Sequence, residues 1–160
     1  MVIMKSVPAA MAAFALVTVS AAAQEIPPAQ AESIMRDIQD SHVAGNVPPK
    51  EDFNRLLQRD LTAYFRTGEG QEYDVRYEML RDGPTQSGIA YPKFYVWVRV
   101  SDQDTVVREG AAQLAAIGRE RFEVTQFIER AEIERDRTQL RMVFPAAVIS
   151  TIESKIGLSK

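Results

Sequence analysis

At Tyr73 the spacing of apolar residues changes from a helical repeat to alternation, and that switch decides the fold class. Before it, Ala31, Ile34, Met35 and Ile38 recur at i, i+3, i+4 and i+7, the stripe of an amphipathic helix. Gly45-Asn46-Val47-Pro48-Pro49 breaks the pattern. Phe53, Leu56, Leu57, Leu61, Tyr64 and Phe65 then mark a second helix ending at Thr67-Gly68. Its Glu51 and Asp52 occupy the first turn, where the helix dipole favours negative charge. Beyond the switch, Tyr73, Val75, Tyr77 and Met79 alternate with Glu72, Asp74, Arg76 and Glu78, which predicts a half-buried strand. Phe94 to Val100 is dense in β-formers and predicts a second, more buried strand, with Pro92 near its start, where a missing N–H is tolerated.

Val106 to Ile117 reads two ways. Val107, Gly110, Ala111, Leu114 and Ala115 fit a helical face that Asp104 would cap. The short turn at Ser101–Asp104, the internal Gly110 and the following Arg121–Thr125 favour two strands of an antiparallel meander turning at Gly118, and strands are the expectation. From Ile128 the pattern is helical again. Pro145 suits a first helical position, Val148, Ile149, Ile152 and Ile156 form a stripe, and Gly157 stops it. The expectation is one α+β domain over residues 31–160, preceded by a loose tail at 24–30. An N-terminal helix pair would pack on one face of a curved antiparallel sheet of about four strands, followed by short C-terminal helices.

Over residues 31 to 127, this order of elements resembles the nuclear-transport-factor-2-like and cystatin-like superfamily. The resemblance implies a helix pair lying across a curved sheet to form a cone. Its families include isomerases, dehydratases and non-catalytic binding and secretion modules, so it leaves function open.

The N-terminus reads as an export signal. Lys5 carries the one early positive charge, Val7 to Val19 is apolar, and Ala21-Ala22-Ala23 offers a cleavage site before Gln24. The apolar run falls short of the roughly 20 residues a membrane anchor needs, and it contains Pro8. Residues 1–23 are therefore expected to be a cleaved leader of a periplasmic or secreted protein, with no membrane span after cleavage. The 160 residues contain no cysteine, which excludes disulfides, thiol catalysis, cysteine-held zinc and lipoprotein anchoring. A single histidine excludes a multi-histidine metal site, and a net charge of −3 lacks the cationic excess of a nucleic-acid binder. No phosphate-cradling or calcium loop is present, so neither cofactor nor metal is expected.

The segment with the most to say about function is Tyr91 to Val100. In strand period, Phe94, Val96, Val98 and Val100 line an aliphatic face, whereas Tyr91, Lys93, Tyr95, Trp97 and Arg99 line an aromatic and cationic one. Aromatics with polar tips beside cations suit a ligand pocket or partner surface; the same face also suits cover by the helix pair or a neighbouring strand, with Lys93 and Arg99 reaching to solvent. These five residues are the expected binding surface of a non-catalytic domain. Its partner would be a protein, an apolar small molecule or a second copy of the chain, in the last case as a dimeric envelope component. An isomerase- or hydrolase-type enzyme with a pocket inside the cone is the alternative. It would draw a base from Asp74 or Glu78 and an acid from Tyr77 or Tyr95, but the carboxylates lie on the polar side of their strand, so no residue is assigned as catalytic. His42, after Asp40-Ser41, suits a cation near a helix C-terminus better than a catalytic triad. Between Arg119 and Arg141, six arginines face six acids, with Glu132 and Arg135 at helical spacing, as on a solvated face.

Overall fold

Proline sets where the helices begin. In the computed structural model, which describes residues 27–66 and 73–157, Pro27 caps α1 (Pro28–Asn46) and Pro49 caps α2 (Lys50–Phe65). The expected leader and the expected stop at Thr67-Gly68 lie outside the described residues. Pro28, Ala29 and Gln30, assigned above to the tail, form the first turn of α1. Gly45 and Asn46 stay helical and the break falls at Val47-Pro48-Pro49. One helical glycine costs only about 1 kcal/mol, whereas a residue preceding proline is driven out of the helical region.

Four strands follow: β1 (Asp74–Met79), β2 (Lys93–Asp102), β3 (Thr105–Ile117) and β4 (Arg121–Glu129). They form one antiparallel sheet in sequence order. Val106–Ile117 is thus strand, with Leu114 paired to Phe94 on one side and Val124 on the other. The three-residue connection into β4 places Gly118 and Arg119 at positive φ (60° and 65°), a turn whose twist suits a hairpin, and the Glu120 N–H closes it on the Ile117 carbonyl (3.2 Å). Ile128, expected to begin a helical stretch, instead belongs to β4, where it pairs with Ala111 and is buried. The helix starts two residues later because Glu129 and Glu132 form a reciprocal capping box at the head of α3 (Arg130–Arg135). Two further helices follow, α4 (Thr138–Val143) and α5 (Ala146–Lys155), and Pro145 caps α5 from just outside it.

Helices cover both faces of the sheet, not one. On the first face, Phe94, Val96, Val98, Val100, Leu114 and Phe122 pack against Leu56, Leu57, Leu61 and Phe65 of α2. On the second, Tyr95, Trp97, Ala111 and Ile128 pack under Ile133, Leu140, Phe144, Val148 and Ile152 from α3, α4 and α5. The reason is in β2: five consecutive residues from Phe94 to Val98 are buried, a run that a one-sided sheet would interrupt with polar residues. The backbone of α2 runs closer to the edge strands β1 and β4 than to the central pair, as in a sheet curled around its helix. Register shifts at Val100/Ser101 and Gln113/Leu114 supply local bends.

Of the N-terminal pair, α2 carries the packing. Helix α1 has no buried residue, and its stripe stays open: Ile34, Met35 and Ile38 are 42%, 52% and 47% exposed. Its last turn is held to the β3–β4 hairpin, where Asn46 accepts hydrogen bonds from the backbone N–H of Gly118 (3.1 Å) and of Arg119 (2.9 Å).

Gly110 marks the tightest strand approach. A Cβ there would stand against the Ile128 carbonyl oxygen and 2.9 Å from Glu129 Cα. Gly110→Ala should therefore push β3 from β4 and lower unfolding stability by about 1–3 kcal/mol. Urea denaturation checks this, and an unchanged midpoint would contradict the packing described.

Candidate functional site

Strand alternation and register divide the five residues of the expected binding surface. Tyr91 precedes β2, is 47% exposed, and stacks its ring on His42 of α1 (6.3 Å between centroids). Lys93 opens β2 opposite Ala115 and is half-buried. Tyr95 is buried beside Phe144, and its hydroxyl shares a 2.7 Å hydrogen bond with that of Thr85. Trp97 is 6% exposed under the C-terminal helices. Arg99, past the end of that cover, is exposed. Tyr95 and Trp97 thus fill the second core, and the cationic end of the row reaches solvent.

At that end the sheet builds a polar row. Arg76 of β1 is the register partner of Arg99 on β2, and Arg99 is the partner of Glu109 on β3. Glu109 Oε1 accepts from Trp97 Nε1 (3.0 Å) and from Arg99 Nε (3.2 Å) and Nη2 (2.8 Å). Its Oε2 accepts from Arg130 Nη1 at the start of α3 (3.3 Å). Burial raises the carboxyl's pKa, but the hydrogen bonds from Arg99, Trp97 and Arg130 outweigh it and hold Glu109 below its ordinary value. These residues, with Glu78 and Lys155, line a cleft of about 230 Å³.

A second hollow opens on the opposite face. About 570 Å³ in volume, it lies between the α1–α2 connection, the first turn of α2, the end of β1 and the turn after it. Val47, Pro48, Phe53, Met79, Pro84 and Phe94 make it predominantly apolar, and Lys50, Asn54, Arg81 and Asp82 stand among its lining residues. Neither Lys50 nor Arg81 has an ion-pair partner among the described residues. The sequence singles out neither cation, because nothing in residue spacing reveals that positions 50 and 81 flank one hollow.

The groups considered for catalysis are scattered. Asp74 pairs with Arg76 (2.8 Å) and Glu78 with Lys155, both carboxylates being largely exposed. Tyr77 points to the other face, toward Asn54 (3.1 Å), and burial raises its hydroxyl pKa. His42 donates no triad geometry: it stacks on Tyr91, one turn before the end of α1. In the arginine-rich segment, Glu132 caps the Glu129 N–H instead of meeting Arg135, and Arg130 pairs with Glu134 (2.8 Å). Among the described residues no cluster of three or more histidine or acidic side chains is placed to hold a metal, and no helix is long and apolar enough to cross a membrane. No family model matches the chain, and no curated protein or solved structure matches it either.

The lowered pKa of Glu109 has a definite sign in stability. The carboxylate contributes above its unfolded value, about 4.3, and the contribution is lost as pH falls through the lower folded value. Glu109→Gln should cost about 1–3 kcal/mol at pH 7, for the lost charged hydrogen bonds. Denaturation curves of the two proteins should converge as pH falls below about 4. A gap that stays constant with pH would show that Glu109 acts through packing alone.

Proposed function

We propose that this protein is a non-catalytic binding domain for a small apolar molecule carrying one acidic group, acting outside the cytoplasm. The observation that carries the reading is the apolar hollow with Lys50 and Arg81 unpaired among its lining residues. Its volume falls in the range of small-molecule sites, and its polar groups are few. An aliphatic or aromatic body would cover Phe53, Met79 and Phe94 while a carboxylate meets the cations. Asp82, the one carboxylate among the lining residues, sits on an exposed turn, which favours binding over an isomerase- or hydrolase-type reaction in the cone. The resemblance in element order and the apolar Val7–Val19 leader support, respectively, a pocket between helix and sheet and an exported, periplasmic or secreted location.

None of the five residues assigned from sequence lines this hollow; Phe94, which turns the other way from Tyr95 on β2, does. A second reading, a homodimer, rests on the exposed Ile34, Met35 and Ile38. With both sheet faces covered, α1 offers the open apolar stripe for a second copy.

Two measurements test these readings. Decanoate should displace the fluorescent probe anilinonaphthalene sulfonate from the protein about fivefold to tenfold better than decanol. Lys50→Glu should remove that difference, and Met79→Trp should abolish displacement by filling the hollow. Probe binding that survives Met79→Trp in a folded protein would refute the site. For the dimer, light scattering after size exclusion should give twice the monomer mass, reduced to one by Met35→Glu; a monomer at high concentration would refute it.

A further inference from the structure

On the opposite side of the sheet from the apolar hollow, we infer that the cleft bounded by Arg76, Arg99, Arg130 and Lys155 is a second, independent binding site, for the carboxylate or phosphate group of a small soluble anion. The argument begins with register. Arg76 and Arg99 are direct cross-strand partners, so their side chains leave the same face side by side. Two like charges so placed repel unless an anion lies against both. Glu109 from β3 pairs with Arg99, but among the described residues Arg76 pairs only with Asp74, two residues back on its own strand, in a pair whose partners are 79% and 50% exposed. An exposed pair of that kind is weak and is readily exchanged for a better anion.

The remaining contacts hold the cleft in shape. Glu109 takes donors from Trp97, Arg99 and Arg130, and Arg99 approaches it with Nε and Nη2. That leaves the Nη1 side of the guanidinium for a ligand, already fixed in orientation. Lys155, from the last turn of α5, pairs with Glu78 across the opening. Four cations and two carboxylates line the space, and the exposed Asp74 and Glu134 that pair with Arg76 and Arg130 can yield to a better-placed anion. A volume of about 230 Å³ suits a dicarboxylate or a phosphate monoester of a small alcohol. Trp97 forms part of the wall and is the only tryptophan in the chain, so it reports occupancy directly.

The test is titration of the full chain with succinate, phosphate and chloride at fixed ionic strength, following Trp97 emission, alongside sedimentation with vesicles of anionic phospholipid. The expected result is a saturable change with succinate or phosphate and none with chloride. Arg76→Gln should weaken it at least tenfold while leaving the thermal midpoint unchanged, and Arg55→Gln, a distant surface change, should leave it intact. No saturable change with either dianion, equal affinity in Arg76→Gln, or binding to vesicles alone would each overturn the proposal. Met79→Trp adds a second tryptophan and is not used here. Lys50→Glu should leave this titration unaltered, so failure of the apolar site and failure of this one are separately visible.

Discussion

A strand that is apolar on both sides has to be covered twice, and β2 imposes that condition on the rest of the molecule. Phe94, Val96 and Val98 need one layer, which α2 provides, and Tyr95 and Trp97 need another, which the three short C-terminal helices provide. Those helices are too short to be stable by themselves, so their order depends on the aromatic side chains beneath them. Hydrogen bonds fasten each layer at its margins. Gln58 on α2 donates to the Val75 carbonyl (2.7 Å), Asp60 accepts from the Phe122 N–H (2.6 Å), and Gln113 on β3 donates to the Val143 carbonyl at the end of α4 (2.8 Å). No disulfide assists, in a chain without cysteine.

Much of this plan is legible from local pattern. The change of period at Tyr73, the hairpin at Gly118 and the stripe of Val148, Ile152 and Ile156 each depend on residues a few positions apart. Gly110 argued for strand over helix at Val106–Ile117, and its place is a close approach of β3 to β4 that no larger residue fits. What escaped was assembly over long separations. Tyr95 and Trp97 look alike in sequence whether they meet a ligand, a neighbouring strand or a distant helix; what settles it is the docking of residues 133 to 156. Ile128 has an apolar side chain that suits a helix or a strand, and the decision came from its partner Ala111.

The polar row across the sheet was hidden for a related reason. Arg76, Arg99, Glu109 and Arg130 lie on four different elements, and only the register brings them together. Once aligned, they show a division of labour. Glu109 is committed to three donors and keeps Arg99 and Arg130 oriented, whereas Arg76 faces outward with an exposed partner. The same separation explains why Lys50 and Arg81 were silent in the sequence: a charge without a partner has no local signature.

Helix α1 is fastened near one end. Nineteen residues at about 1.5 Å each extend roughly 28 Å, with the documented holds at Asn46 and His42. A rod pinned at its tip transmits angle more than it transmits force: a small rotation where it meets the β3–β4 hairpin sweeps its far turns through a wide arc. The core is indifferent to what those turns carry, since none of their side chains enters it. Their sequence is therefore free to drift, lengthen or acquire a new contact without any repacking of the domain that bears them.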